Sequence, residues 1–233
     1  MAFRFKQFEI NQDHSPFKIG TDGLLLGAWS TNDLPKYILD IGTGTGLIAL
    51  MMAQRFPTSA VEAIELNSDA FEIAKSNFVN SPWQSKITIH NGDFKNQLFS
   101  KKFDLIVSNP PFFSGSKLSK KAGKNIARHT IELTLIDLIR RSSTLLSKLG
   151  VLGIVLPFEL KDEALSIGSI FNLFPKRICN VLPTPTSNPK RILIEFTAFV
   201  SELEESELIV EEFGRHQYSA DYKDLINEFL LDK

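Results

Sequence analysis

The chain has little cysteine, no long apolar run and almost no net charge, and each shortage excludes a class of protein. A single cysteine, Cys179, in 233 residues excludes an internal disulfide and a cluster of thiolate metal ligands, and it suits a reducing compartment. No stretch approaches the roughly 20 apolar residues of a membrane-spanning helix. The opening MAFRFKQFEI lacks the apolar block of a signal peptide. We therefore expect a cytoplasmic protein with no membrane partner.

The net charge of −1 shows no overall basicity, but the charges are unevenly distributed. Segment 117–129, KLSKKAGKNIARH, contains five Lys or Arg and no acid. Segment 201–212, SELEESELIVEE, contains six Glu and no base. Local clusters of this kind bear on partners more than the average charge does, and the basic one is a candidate for contact with nucleic acid phosphates.

Short apolar runs alternate with longer amphipathic ones from residue 37 onward, which predicts βαβ units and a parallel sheet. Strands are predicted at 37–42, 60–66, 86–93, 103–109 and 150–157, and helices at 46–56, 68–80, 132–148 and 159–171. Two further strands, 176–183 and 191–200, have no room for a helix between them and predict an antiparallel hairpin at the sheet edge. The expected fold is α/β with seven strands.

We expect one domain over residues 1–233. Residues 1–36 form an N-terminal cap in this prediction, 37–200 the core and 201–233 a helical tail. The hairpin turn at 183–191 should lie at the same edge as the carboxyl ends of the parallel strands.

The motif SNPPFF at 108–113 follows the apolar run FDLIV. Proline lacks a backbone N–H and holds the preceding residue extended, so Asn109 and the carbonyl of Pro110 are presented rigidly at a strand end. Two interpretations follow from these residues alone. The motif is either a stiff strand-terminating turn or a clamp for a flat, polar, aromatic group.

The segment LDIGTGTG at 39–46 follows a predicted strand and opens a predicted helix. Glycines at such a place let a ligand approach the backbone closely. Candidate cofactor-binding residues in this segment are Asp40, Gly42, Gly44 and Gly46. The spacing differs from the usual dinucleotide motif, and a pyrophosphate would need basic partners where the segment has an acid.

Further acidic residues lie at the ends of the next two predicted strands. Glu65 is placed to accept both ribose hydroxyls of an adenosine. Asp40 and Glu65 together suit a ligand with a cationic end, such as S-adenosylmethionine. Asp93 is a candidate acceptor for the adenine amino group, and Phe94 would cover the ring.

These motifs, in this order, resemble the class I S-adenosylmethionine-dependent methyltransferases, with a Rossmann-like, mostly parallel sheet and an antiparallel edge hairpin. Within them, Asn-Pro-Pro-aromatic marks enzymes that methylate planar amino nitrogens. The blocks 3–29, NPPFFSGS, ARH at 127–129 and 218–231 are similar to the bacterial tRNA-Val adenine N6-methyltransferases, which act on the adenine 3′ of the anticodon.

The resemblance implies roles for particular residues. The motif residues Asn109, Pro110, Pro111 and Phe112 would be catalytic, with Phe112 stacked on the base. Near the cofactor it adds Lys18, Thr21 and Asp22. Independently of the resemblance, the basic segment supplies candidates for contact with RNA phosphates: Lys117, Lys120, Lys121, Lys124 and Arg128. Lys190 and Arg191, in the turn at 183–191, are further candidates.

The expected reaction converts S-adenosylmethionine to S-adenosylhomocysteine without a metal, on a tRNA substrate, by a monomer with no obligate protein partner. Three alternatives stay open. The first is a guanine N2-methyltransferase of ribosomal RNA. Phe112 stands where tyrosine is frequent in adenine N6 enzymes, and phenylalanine at this place also occurs in the guanine N2 enzymes. The other two are a protein glutamine methyltransferase and a non-catalytic RNA-binding module.

Overall fold

The parallel strands of the molecule end at one edge of a single large sheet. The computed structural model describes residues 2–12, 19–111 and 133–231. Its strands are β1 Ala2–Arg4, β2 Glu9–Asn11, β3 Tyr37–Ile41, β4 Ala60–Glu65, β5 Ile87–Asn91, β6 Phe103–Ser108, β7 Leu146–Pro157, β8 Phe174–Leu182, β9 Arg191–Thr197 and β10 Glu204–Ile209. Its helices are α1 Thr21–Trp29, α2 Leu47–Arg55, α3 Ser68–Val79, α4 Leu135–Leu145, α5 Lys161–Ile170 and α6 Ala220–Ile226. None of these helices has the length and apolarity to cross a bilayer.

Among the described residues, the large sheet has the spatial order β10-β8-β9-β7-β6-β3-β4-β5. All neighbours in it are parallel except β9, which runs antiparallel to β7 and β8. The predicted antiparallel hairpin is confirmed as β8–β9, but β10 pairs outside β8, so the hairpin lies one strand in from the sheet edge. The turn after β8 lies at the carboxyl edge as expected. The strand order reverses between β3 and β6, where α/β sheets open a crevice for ligands.

Helices cover both faces of the sheet because its central strands are apolar on both sides. All of β3 except its first residue is buried, and β6 is buried except for Asp104. One core cluster packs the sheet against α1, α2, α3 and α6, and includes Leu25, Met51 and Phe78. The opposite cluster packs it against α4 and α5, and includes Leu138 and Ile167. This double burial explains the near-continuous apolar runs in the sequence.

The N-terminal cap is built from an antiparallel β1–β2 hairpin and α1. Stacked rings hold the hairpin to the core: Phe5 and Phe8 have centroids 4.4 Å apart, and Phe8 meets Trp83 edge-on at 5.8 Å. Seven of the nine residues of α1 are buried. At Gly27 an added Cβ would lie 2.5 Å from the Met51 sulfur, so α1 approaches α2 closely at that point. The cap is therefore part of the core.

The prediction of seven strands is wrong, because the sheet has eight in the described residues. The eighth, β10, lies in the acidic segment and pairs parallel with β8. Glutamate is depleted in strands, so the segment gives no local strand signal. Its pairing is supported by ion pairs of Glu205 with Lys161 at 2.8 Å and of Glu204 with Arg177 at 3.6 Å. The tail expected to be helical thus begins with a strand, and its helix is α6, capped by Ser219.

Candidate active site

A cavity of about 1080 Å³ opens at the carboxyl edge, between α1 and the ends of β3, β4, β5 and β6. Its wall contains eleven of the residues that the sequence singled out. They are Thr21, Asp22, Gly42, Gly44, Glu65, Asp93, Phe94, Asn109, Pro110, Pro111 and Arg191. The predicted cofactor segment and the Asn-Pro-Pro motif therefore share one space.

The loop between β3 and α2 turns through three glycines with left-handed backbone. Gly42, Gly44 and Gly46 have φ of 69°, 58° and 90°. At Gly46 an added Cβ would also lie 2.4 Å from the Phe78 ring, so only glycine fits. This conformation brings the loop backbone and the start of α2 to the cavity, where the helix N-terminus favours negative charge or a hydrogen-bond acceptor.

Asp40 lies behind this loop and supports it from below. Its side chain is fully buried, and Oδ2 accepts hydrogen bonds from the Thr43 hydroxyl at 2.5 Å and from the Ala49 N–H at 3.0 Å. Oδ1 has no partner among the described residues. Burial raises the pKa of Asp40 to about 7, against the effect of these two hydrogen bonds. Its geometry is that of a positioning group for the loop.

Glu65, at the end of β4, faces the cavity and is held by two backbone amides. Oε2 accepts from the Gly44 N–H at 2.9 Å, and Oε1 accepts from the Asn67 N–H at 2.8 Å. A carboxylate oxygen has two acceptor directions, so each oxygen keeps capacity for one more donor. A rigid pair of acceptors at this place suits two neighbouring hydroxyls.

The loop after β5 carries Asp93 and Phe94 into the cavity wall. Asp93 is half-buried, and its oxygens accept from the Lys95 N–H at 2.9 Å and the Asn96 side chain at 3.1 Å. Arg141 of α4 holds this loop from outside, donating to the Phe94 carbonyl at 2.6 Å and to the Gln97 carbonyl. Its guanidinium also lies 5.6 Å from the centre of the Phe94 ring.

The N-terminal cap closes the cavity from the opposite side. Thr21 and Asp22 stand in the first turn of α1, and the Asp22 carboxylate accepts from the Arg191 side chain at 2.7 Å. This ion pair joins the cap to the start of β9 across 169 positions of sequence. The sequence indicated Asp22 and Arg191 separately, but it carried no signal that these two residues form a pair.

Asn109 and Pro110 follow β6 directly at the cavity wall. Ser108, fully buried, anchors the strand end by donating its hydroxyl to the Ile41 carbonyl at 2.9 Å. The Asn109 amide lies close to α1, 3.8 Å from the place of a Cβ at Gly23. Pro110 is buried and Pro111 exposed. Asn109 and Pro110 line the same cavity as the glycine loop and Glu65.

Seven predicted site residues lie outside the described part of the chain. They are Lys18, Phe112, Lys117, Lys120, Lys121, Lys124 and Arg128. Sequence reasoning also missed Thr43, whose hydroxyl links Asp40 to the loop, and Asn67, whose N–H fixes Glu65. The signal for Thr43 was available in the motif, since a hydroxyl three residues after a buried aspartate can reach its carboxylate.

Comparisons with known proteins identify relatives of this chain. The family model described as "methyltransferase small domain" matches residues 14–174. A protein from Christiangramia forsetii, named tRNA1(Val) (adenine(37)-N6)-methyltransferase, is 43% identical over 98% of this chain and 97% of its own length. A protein of the same name from Bacteroides thetaiotaomicron is 42% identical over 98% and 97%. The crystal structure of a predicted O-methyltransferase from Agrobacterium tumefaciens is similar in fold, with a TM-score of 0.70 at 19% identity, over 89% of this chain and 96% of that one.

Proposed function

The chain belongs to the methyltransferase small domain family and, within it, to the family of the tRNA1(Val) (adenine(37)-N6)-methyltransferases, and from this premise we propose that it methylates N6 of adenine 37 in a tRNA for valine. The methyl donor is S-adenosylmethionine. The observation that carries the proposal is the common cavity, in which Asn109 and Pro110 face the same space as the glycine loop and Glu65.

The residues of the cavity fit the donor. The fixed oxygens of Glu65 would accept the two ribose hydroxyls, and Asp93 would accept from the adenine amino group. The left-handed glycines carry no side chains, so the ligand would be able to contact the backbone of the loop directly. When bound, the cofactor supplies a methyl group made electrophilic by its sulfonium.

The chemistry requires this chain to improve a poor nucleophile. The lone pair of an exocyclic amine is delocalised into the ring, so the nitrogen is flat and unreactive. The Asn109 side-chain oxygen and the Pro110 carbonyl each accept one N–H of that amine. Two fixed acceptors favour the pyramidal nitrogen and stabilise the positive charge that develops on it during transfer. Orientation and electrostatics are then the main contributions, and the proton leaves after transfer.

The target base must leave its stack to reach this cavity, which costs a few kcal/mol. A base in an anticodon loop is already partly unstacked, and loops are where proteins read RNA in single strands. Phe112 follows Pro111 in the chain and is proposed to stack on the extruded base, a contact worth about 1–3 kcal/mol.

The test is label transfer from S-adenosylmethionine to unmodified tRNA, followed by mass spectrometry of the nucleosides. We expect N6-methyladenosine, located at position 37 by analysis of ribonuclease fragments. Label in N2-methylguanosine, or in protein alone, would contradict the proposed substrate.

Asn109→Ala tests the acceptor role. Loss of one fixed acceptor should lower kcat by about 10²- to 10³-fold while the dissociation constant of the cofactor, measured by calorimetry, stays near that of the wild type. Asn80→Ala, at the exposed C-terminus of α3, is the matched control. Weak cofactor binding in the Asn109 variant would assign that residue to the structure of the cavity instead.

A further inference from the structure

A second, smaller groove of about 270 Å³ adjoins the active-site cavity at the carboxyl edge. It lies between α1, the end of β8, the start of β9 and the end of β10. Three residues, Thr21, Asp22 and Arg191, line both spaces. The groove is therefore a direct continuation of the cavity wall.

The floor of the groove is apolar. Leu25, Val181, Pro183 and Val210 line it, and the first two are almost fully buried. Backbone hydrogen bonds fix this floor, since the Val210 N–H donates to the Leu182 carbonyl at 2.9 Å and the Lys190 N–H donates to the Val181 carbonyl at 2.9 Å. An apolar floor in a hydrogen-bonded frame suits the face of a nucleobase. The volume is close to the lower end of small-molecule pockets, about 300 Å³, which suits a single nucleotide.

The rim of the groove carries two adjacent cations. Lys190 is exposed, and its ammonium makes no ion pair with the described residues. The Arg191 guanidinium uses Nε for Asp22 and one terminal nitrogen for the Lys190 carbonyl, which leaves further N–H donors. Both suit a phosphate.

The two carboxylates of the groove are already engaged. Asp22 is paired with Arg191 at 2.7 Å, and Glu211 accepts the His216 N–H at 2.8 Å. The Asp22–Arg191 pair is close to neutral. The N–H that Glu211 accepts carries no charge, so among the described residues that line the groove Lys190 and Glu211 are the charges without an ion pair, and Lys190 is the one at the exposed rim. Glu211 keeps acceptor capacity for a hydroxyl such as the ribose 2′-OH, which distinguishes RNA from DNA.

We propose that this groove binds the nucleotide next to the methylated adenine in the RNA, with its base on the apolar floor and its phosphate at Lys190 and Arg191. The inference rests on the proposed function for the identity of the neighbouring base. In this proposal the β8–β9 hairpin and β10 fix the register of the RNA, so that one adenine reaches Asn109.

Two variants test the groove by charge and by shape, with binding read as fluorescence anisotropy of an anticodon stem–loop RNA at several salt concentrations. Lys190→Ala should weaken binding about three- to tenfold and lower the slope of log K against log salt by about 0.7–1. Val210→Trp, which fills the groove without changing charge, should weaken binding by a similar factor and leave the slope unchanged. Lys148→Ala removes an exposed lysine at the opposite edge of the sheet and should match the wild type.

The possible outcomes distinguish a failure of the groove proposal from a failure of the proposed methyl transfer. Wild-type affinity in both groove variants would overturn the inference. A loss of affinity confined to Lys190→Ala would also overturn it, because RNA would then contact a surface charge without occupying the groove. Because binding is measured without turnover, a wild-type enzyme that binds RNA through the groove but transfers no methyl to adenine would reject the proposed function alone. S-adenosylhomocysteine binding by calorimetry should be equal in all four proteins.

Discussion

Asp40 is a carboxyl group that the fold keeps out of water although it lies next to a ligand-binding loop. It is fully buried, and burial raises its pKa to about 7. The hydrogen bonds from Thr43 and Ala49 favour the ionised form but do not offset the loss of hydration. From the sequence, Asp40 was a candidate to face a cationic ligand. The structure places it under the loop instead, where its carboxyl ties the loop to the first turn of α2.

A raised pKa makes the stability of the protein depend on pH in a definite direction. In the unfolded chain Asp40 ionises near pH 4, whereas in the folded protein it stays protonated up to about pH 7. The contribution of Asp40 to the free energy of unfolding is thus most favourable below pH 4. This contribution is lost as the pH rises through 7, by about 4 kcal/mol at most. Asp40→Asn removes this dependence. The free energy of unfolding of the wild type minus that of the variant, measured by urea unfolding, should therefore fall by that amount between pH 4 and 7.5.

Asp69→Asn, at an exposed position in the first turn of α3, controls for the loss of a carboxylate as such. Parallel stability profiles of the wild type and Asp40→Asn across this pH range would contradict the prediction. The same comparison with S-adenosylhomocysteine present shows whether a bound ligand changes the pKa.

At the scale of elements, α4 supports the active site from outside through Arg141. Its guanidinium binds the carbonyls of Phe94 and Gln97 and lies against the Phe94 ring, so it fixes the loop that carries Asp93. Lysine keeps the charge but lacks the planar fork that reaches both carbonyls.

Arg141→Lys should therefore raise the dissociation constant of S-adenosylmethionine about tenfold, from the loss of one to two hydrogen bonds. kcat at saturating cofactor and KM for RNA should change little. Arg140→Lys, at the neighbouring exposed position paired with Asp137, is the control. A lower melting temperature with an unchanged dissociation constant would show that Arg141 acts on stability only.

Elements with a local signal were predictable from the sequence, and those that depend on distant partners were not. The apolar runs predicted the parallel strands and α3, which begins after Asn67, whose side chain accepts the Ala70 N–H at 2.9 Å. β10 was missed because its glutamates disfavour a strand locally, and its cationic partners Lys161 and Arg177 come from other elements. The Asp22–Arg191 pair was invisible for the same reason. The roles of the site residues stay predictions that the variants above test.

At the scale of the whole molecule, a net charge of −1 gives no general attraction for RNA. Phosphate contacts must come from local clusters, and the salt dependence of binding reports how many phosphates the protein neutralises. The groove rim offers Lys190 and Arg191 at the carboxyl edge. The basic segment 117–129, which follows the Asn-Pro-Pro motif in the chain, offers the other cluster. It lies outside the described residues and is proposed from the sequence.

Neutralising Lys117, Lys120, Lys121 and Lys124 to glutamine should weaken RNA binding and lower the slope of log K against log salt by about 0.7–0.9 for each phosphate that these lysines neutralise. The variant also makes the whole protein more acidic, from −1 to −5, and this change alone repels RNA. A second variant with glutamine at the exposed Lys36, Lys75, Lys148 and Lys223 reaches the same net charge and isolates that effect. If the two variants show equal slopes, the basic segment binds no phosphates and RNA is held by the carboxyl edge alone. A lower slope in the first variant only assigns the additional phosphate binding to the basic segment that follows the Asn-Pro-Pro motif in the chain.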